Sequence, residues 1–222
     1  MQQDDITQFF SYLKKRLEAP LPGQKAQIKM APLPSKSADH FPLYPEGNSN
    51  LNSVLIPLYS DSDNDISIIL TLRTRNVNHG GQISFPGGQI ESNESAVNAA
   101  LRETHEEIGI SRKHVKIAGK MTSLYIHRTN NMVEPFVGML TQKPDLHLSN
   151  REVEEIIPVK ISTLADKNNI TVEEWELRKN SPFKVPYWNI HKVPLWGATA
   201  MMLSELIEIY NEYKLGIKSN IS

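Results

Sequence analysis

Residues 92–109 constrain this chain more than any other stretch, because they read as one helix that must carry three carboxylates on a single face. Ser92 or Asn93 is placed to cap its start, and Gly109 to close it in the left-handed conformation that glycine adopts at helix ends. Inside it, Arg102-Glu103-Thr104-His105-Glu106-Glu107 sets Glu103, Glu106 and Glu107 at i, i+3 and i+4, which is one side of a helix. Like charges at that spacing cost an isolated helix about 0.2–0.5 kcal/mol per pair. The glutamates also crowd the negative end of the helix dipole. A sequence that opposes its own helix twice implies a bound cation that turns repulsion into coordination. The alternative is a solvated acidic helix end.

The chain has no cysteine and no histidine cluster beside these glutamates, so the donor set suits a hard cation, Mg²⁺ or Mn²⁺ rather than Zn²⁺. Such an ion polarises a phosphoryl oxygen and lowers the pKa of a bound water. Arg102 adjoins the cluster and can pair with Glu103 or Glu106, fixing a carboxylate rotamer. The lack of cysteine also excludes disulfides and thiolate catalysis. With 222 residues, 39% apolar and 22% charged, residues 1–222 are expected to form a single soluble domain. A net charge of -1 gives no electrostatic footprint for nucleic acid or membrane, so an anionic substrate must be met by local cations or metal. The first 17 residues hold early acids and no long apolar run. They are expected to be neither a secretory signal nor a membrane span, and a cytoplasmic location is the default expectation.

Along the chain, a first helix is expected from Asp4 or Asp5 to Leu17, with Ile6, Phe9, Phe10, Leu13 and Leu17 on one side. Proline-rich residues 19–50 read as an extended arm or long loop. Residues 53–59 and 66–73 read as strands of a hairpin around Asp61-Ser62-Asp63-Asn64-Asp65. Further strands are expected at 115–124, 132–140 and 153–161, a short helical turn at 162–167, and short strands or irregular chain over 170–196. A closing helix spans 198–214. Strands interleaved with a central and a C-terminal helix suggest an α/β fold, a mixed sheet covered by helices.

Gly88, five residues, Glu94, seven residues, Arg102-Glu103, two residues, Glu106-Glu107, one residue, Gly109 and Ile110 match the fixed positions of the Nudix box. Thr104 stands in its hydrophobic slot, a departure whose methyl group can still pack. By this likeness the chain is identified as a member of the Nudix hydrolases. The resemblance implies an α/β/α sandwich with residues 88–110 as its loop-helix-loop, and water attack on a pyrophosphate phosphorus. It implies Glu103, Glu106 and Glu107 as metal ligands, Glu103 also as the general base, and Arg102 as the group orienting it. The base differs between branches of the family. Glu94 is read as structural rather than as a ligand. For a further carboxylate from outside the box, Glu152 and Glu155 are the candidates, Glu152 being preferred by likeness to an EV-x-E pattern.

Leu70-Thr71-Leu72-Arg73-Thr74 followed by Gly81-Gln82-Ile83-Ser84-Phe85-Pro86-Gly87-Gly88 resembles the signature of the coenzyme A pyrophosphatases. Pro22-Gly23, Ala26-Gln27 and Met30-Ala31-Pro32 look like the N-terminal arm of that subfamily, and Trp196-Gly197-Ala198-Thr199-Ala200-Met201 like the start of its last helix. That likeness implies a coenzyme A-like nucleotide substrate, cleavage to 3′,5′-ADP and (acyl-)4′-phosphopantetheine, and a homodimer. The candidate phosphate-binding groups are Arg73 and Arg75, with His79 and Arg128 behind them, and the backbone of Gly87 and Gly88. The stretch between Arg73 and Gly81 is one residue shorter than the signature, and its second arginine has no clean counterpart, Arg75 being the nearest substitute. A second reading therefore stands beside coenzyme A, another nucleoside diphosphate derivative such as ADP-ribose or a dinucleotide; a third, a catalytically silent ligand-sensing module, has the intact Arg102-Glu103 and Glu106-Glu107 set against it. Trp175, Trp188 and Trp196 could stack on adenine but are read first as core.

Overall fold

Apolar residues fill both faces of residues 66–73, and they belong to two different cores. Ile68, Leu70 and Leu72 join a large cluster with Phe9, Leu13, Leu203, Leu206 and Ile209, whereas Ile69 packs with Ile108, Ile110 and Val153. A strand buried on both sides must lie inside a layered fold, with about 1.5–3 kcal/mol of stabilisation from each large side chain fully buried.

The structure, a computed structural model, describes residues 5–35, 42, 44–74, 80–148, 152–178 and 181–219. In chain order its elements are helices α1 (Asp5–Arg16) and α2 (Gln24–Gln27), then strands β1 (Leu33–Pro34), β2 (Asn50–Ser60), β3 (Ile66–Arg73), β4 (Ile83–Ser84) and β5 (Gly87–Gln89). Helix α3 (Ala96–Ile108) follows, then β6 (Val115–Lys120), β7 (Leu124–Ile126), β8 (Asn131–Leu140) and β9 (Val153–Lys160). Helix α4 (Ile161–Ala165), strands β10 (Ile170–Arg178) and β11 (Ser181–Trp188), and helix α5 (Gly197–Ser219) complete it. Helix α3 lies on one face of a mixed sheet, and α1 and α5 on the other. This is the α/β sandwich expected from the sequence. No helix among the described residues is long and apolar enough to cross a membrane.

The main sheet runs β4-β3-β2-β8-β6, with β5 on β2, β7 on β8 and β9 on β3. Strands β2 and β8 are parallel, and the other pairs are antiparallel. Strands β2 and β3 pair at Leu58–Ser60 and then separate; further along, β2 pairs with β5 at Asn52–Val54 and β3 with β4 at Thr71 and Leu72. The segment 83–89 fills the gap between the diverging strands, which brings Gly87 and Gly88 beneath α3.

The hairpin turn forms as its composition predicts. Asp61 accepts from the N–H groups of Asp63 and Asp65, both at 2.9 Å, and from the Ser67 hydroxyl at 3.0 Å. Four expectations are corrected. Helix α3 is capped by Ser95, whose hydroxyl accepts from Asn98 N–H at 3.4 Å, while Asn93 takes a left-handed φ of 66° in the preceding turn. The strand expected over 115–124 is broken into β6 and β7, separated by residues 121–123. Residues 170–196 contain the long β10–β11 hairpin, which joins β1 in a second, three-stranded sheet despite Pro182 and Pro186. The closing helix also runs beyond 214, to Ser219.

The arm of residues 19–50 is not simply extended. Its α2 packs against α5, burying Ala26, Gln27, Met30 and Ala31. Glu205 of α5 is wholly buried and accepts from Gly23 N–H at 2.9 Å, Gln27 Nε2 at 3.2 Å and Thr122 Oγ1 at 2.6 Å. Ser204 Oγ donates to Ala26 O at 2.8 Å. Removing the carboxylate strands several buried donors, each costing about 1–3 kcal/mol. Glu205→Ala is expected to lower the unfolding free energy by about 2–3 kcal/mol in urea titration. A midpoint equal to wild type would show that the arm is not held through this residue.

Candidate active site

Helix α3 presents its glutamates in a gradient of burial. The side chain of Glu107 is 2% exposed, Glu103 16% and Glu106 56%. The helix ends at Gly109, whose φ of 78° and N–H to His105 O form the expected left-handed cap. Thr104 is fully buried in its apolar slot and satisfies its hydroxyl by donating to Ala100 O at 2.6 Å. The departure from a hydrophobic residue there is absorbed within the helix.

Arg102 donates to four residues. Its Nε and Nη2 each lie 3.1 Å from one oxygen of Glu94, a bidentate pair, and Nη2 also donates to Gln89 O at 3.2 Å. Its Nη1 donates to Glu103 at 2.8 Å and to Glu106 at 3.3 Å. Glu94 thus anchors the guanidinium that contacts Glu103 and Glu106. Hydrogen bonding to Glu94, with Glu103 behind it, raises the Arg102 pKa. The bond to Arg102 holds the Glu94 carboxyl below its ordinary value.

Glu107 points inward. One oxygen accepts from Gly87 N–H at 3.2 Å and the other from Arg73 Nη1 at 3.3 Å. Burial nevertheless pushes its pKa up to about 7, against the lowering by Arg73 and by the Gly87 N–H, and Glu103 and Glu152 add to the rise. Burial likewise raises Glu103, opposed by Arg102. The box is thus short of positive charge. Its donors are carboxylate oxygens, the set preferred by Mg²⁺ or Mn²⁺. The residues fit a hard divalent cation.

The two glycines have separate duties. A Cβ on Gly87 would stand 2.3 Å from Ser53 O and 2.6 Å from Val54 Cα, both backbone. A Cβ on Gly88 would stand 2.6 Å from Glu103 Cδ and Oε1. Gly87 therefore permits the close packing of β5 on β2, and Gly88 leaves room for a carboxylate. The Gly87 N–H, a candidate for phosphate binding, is directed at Glu107.

Outside the box, Arg73 at the end of β3 reaches Glu107 and also Glu152, 3.9 Å from its Nη2. Glu152 is tied to the same strand end by its carbonyl, which accepts from Thr74 N–H at 2.9 Å. Glu155 turns to a different neighbourhood, pairing with Lys192 at 3.0 Å and His191 at 3.2 Å. Of the two candidates outside the box, Glu152 is the one placed beside Glu107. Arg75 and His79 lie outside the described residues. Arg128 is exposed in a turn between β7 and β8. Trp188 is core and donates to Leu164 O, while Trp175 and Trp196 form a ring cluster with Tyr187.

Sequence reasoning missed the Arg73–Glu107 pair, since strand and helix meet there only in three dimensions. It also did not foresee that the hairpin turn gathers three carboxylates. Asp61, Asp63 and Asp65 are the carboxylates among the described residues whose ligand oxygens lie within 4.8 Å of one another. Lys160 already supplies a cation there, 2.8 Å from Asp63 and 2.7 Å from Asp65. The box glutamates do not meet that spacing as they stand, each being paired with a guanidinium.

A model of the NUDIX domain family matches residues 50–178. The chain is 30% identical over 175 residues to Nudix hydrolase 3 of Caenorhabditis elegans, covering 72% of each protein. It is 27% identical over 187 residues to a Nudix hydrolase, NudL, of Photorhabdus laumondii, covering 82% of this chain and 92% of that one. Among solved structures, the Nudix hydrolase RenU from M. smegmatis matches with a TM-score of 0.54 and 16% identity, over 82% of this chain and 94% of that one. At that identity the likeness is one of fold.

Two expectations follow from the geometry. Gly88→Ala should fold with a stability change of less than about 1 kcal/mol, because a flexible side chain can yield, while hydrolytic kcat falls about tenfold or more as Glu103 is displaced. Gly87→Ala meets backbone and should lose about 2–4 kcal/mol of stability. Equal effects of the two substitutions in paired melting and rate measurements would contradict the assignment. The second concerns pH. Glu107 moves from an ordinary 4.5 to about 7, so the folded state keeps a proton that the unfolded chain has lost. The stabilisation is complete below 4.5 and is lost as pH rises through about 7. In chelator, the wild-type melting temperature should fall across that window more steeply than that of Glu107→Gln. Parallel profiles would show that Glu107 titrates normally.

Proposed function

The chain belongs to the NUDIX domain family, pyrophosphohydrolases of nucleoside diphosphate derivatives, and we propose that its substrate is coenzyme A or an acyl-CoA. Cleavage at the pyrophosphate would give 3′,5′-ADP and 4′-phosphopantetheine or its acyl form. The chemistry rests on one observation: Glu103, Glu106 and Glu107 stand on one face of α3, with Arg102 and Arg73 against them. The substrate class is supported by the run from Leu70 to Gly88, which resembles the coenzyme A pyrophosphatase signature, and by the like sequence of the arm. The close packing of arm and α5 supports treating both as one domain with the box. A homodimer and a cytoplasmic location belong to the same reading and rest on family likeness and composition alone.

Glu103, Glu106 and Glu107, with Glu152 beside them, are the residues we assign to hold Mg²⁺ or Mn²⁺. When bound, such a cation supplies charge against the pyrophosphate oxygens and lowers the pKa of a coordinated water. Glu103 accepts the proton of the attacking water. Its partial burial raises its basicity, and Arg102 at 2.8 Å fixes its direction. Arg73 and Arg75 supply positive charge for the phosphates, which a chain of net charge -1 must place locally. The absence of a side chain at Gly88 leaves room for the Glu103 carboxylate itself.

A second reading keeps the chemistry and replaces the substrate with ADP-ribose or a dinucleotide. It is favoured by the short stretch between Arg73 and Gly81, which lacks a clean match to the second arginine of the signature. Incubation of the pure protein with coenzyme A and Mg²⁺ or Mn²⁺, followed by chromatography, should yield 3′,5′-ADP and phosphopantetheine, and Glu106→Gln should lower kcat about a hundredfold or more. A higher kcat/KM for ADP-ribose or a dinucleotide than for coenzyme A would transfer the assignment to the second reading.

A further inference from the structure

The two arginines of the site are held differently. Arg102 engages Nε, Nη1 and Nη2 in hydrogen bonds of 2.8–3.3 Å, including a two-point grip on Glu94. Arg73 is also well covered, with 20% of its side chain exposed, yet it grips neither partner by two points. Its Nη1 stands 3.3 Å from Glu107 and its Nη2 3.9 Å from Glu152. Its Nε is buried with no hydrogen-bond partner among the described residues. A guanidinium serving as a fixed clamp would make two parallel contacts to one carboxylate, as Arg102 does to Glu94 at 3.1 Å. Arg73 supplies charge to two carboxylates of separate origin and is bound firmly to neither.

Those two carboxylates are among the ligands assigned above. A unit positive charge this close to Glu107 raises the energy of any second cation that uses the same oxygens, and it does so strongly where water is scarce. Without Arg73, Glu107 would stand almost buried beside the Glu103 and Glu152 carboxylates, with the Gly87 N–H as its remaining hydrogen-bond partner among the described residues. Such a site would repel itself in the absence of metal. With Arg73, its charge is compensated until a cation arrives.

We infer that Arg73 is the resident countercharge of the cation site, a positioning residue that neutralises Glu107 and Glu152 in the metal-free protein and yields them to a divalent cation. The displaced guanidinium, at the same strand end, is then available to the substrate phosphates. Cation entry and phosphate binding become one exchange of partners. The inference rests on the assignment of the box glutamates as ligands, and the test separates the two.

Mn²⁺ is titrated into substrate-free protein and free ion is read by electron paramagnetic resonance. Arg73→Met should tighten the Mn²⁺ Kd by about tenfold or more, because a whole competing charge is removed. Arg73→Lys, which keeps the charge, should remain within about threefold of wild type. Arg73→Gln, which keeps a polar group without charge, should behave as Arg73→Met and guards against a packing defect. Melting curves give the second reading: Mn²⁺ should raise the melting temperature of the two neutral variants more than that of wild type. In turnover, the neutral variants should raise KM at least tenfold more than they lower kcat. Unchanged or weaker Mn²⁺ binding in both neutral variants would overturn the countercharge role. Wild-type Mn²⁺ binding in Glu106→Gln and Glu107→Gln would instead overturn the ligand assignment, whatever the arginine variants do.

Discussion

The buried carboxylate of Glu107 is the constraint on which the remainder of the site depends. A carboxylate 2% exposed must be hydrogen-bonded or ion-paired, since an unpartnered charge at that depth is not tolerated. Its two oxygens find a backbone N–H and a guanidinium, and both partners come from the sheet. The N–H is available because β2 and β3 diverge and the segment 83–89 enters between them. That entry in turn requires Gly87, where a side chain would strike the backbone of Ser53 and Val54. Sheet divergence, glycine and buried acid are thus one arrangement seen from three sides.

Much of this was legible in the sequence, and the reasons are local. The helix closes at Gly109 because only a short stretch of chain is needed to specify a left-handed cap. The turn at 61–65 forms because Asp61 can accept from its own near neighbours. The box was readable because its glutamates share a helix, where spacing alone decides which face they occupy. Other features depend on pairing between distant strands. Strand β9 carries a bulge opposite the step from Leu72 to Arg73: Leu72 faces Glu155, but Arg73 faces Val153. That one-residue shift reverses which side chains share a face and sets Glu152 at the strand end beside Arg73. No pattern within 152–155 announces it, so Glu152 and Glu155 could be ranked from sequence only by likeness. The β10–β11 hairpin was obscured for a related reason. Pro182 and Pro186 lower the strand signal, yet β11 keeps one register with β10 from Trp188 back to Pro182 and shifts only at Ser181.

The helix cap shows a subtler failure. Ser92, Asn93 and Ser95 are all competent caps by residue type. What separates them is the turn before α3, in which Asn93 adopts φ 66° and leaves Ser95 in the extended conformation a cap requires. Residue type proposes several starts for a helix, and the path by which the chain arrives chooses one. Glu94 gains from that choice. Lying outside the helix, it can turn back to grip Arg102 with both oxygens.

The contrast between the two arginines suggests how a site can be stable without metal and still welcome it. Local consistency would call for no like-charged face on α3 at all, and proteins break such rules where function is placed. Here the conflict is distributed. Exposed Glu106 keeps much of its hydration, and Glu103 is held by an arginine that is itself anchored. Only Glu107 combines depth with a loosely bound partner, and burial raises its pKa despite the Arg73 guanidinium. A bidentate grip on Glu107 in the place of Arg73 would occupy the oxygens that a cation must use. A neutral residue would leave the carboxylates to repel one another. A guanidinium at 3.3 and 3.9 Å stands between these extremes, enough charge to hold the fold together and too little geometry to refuse an exchange.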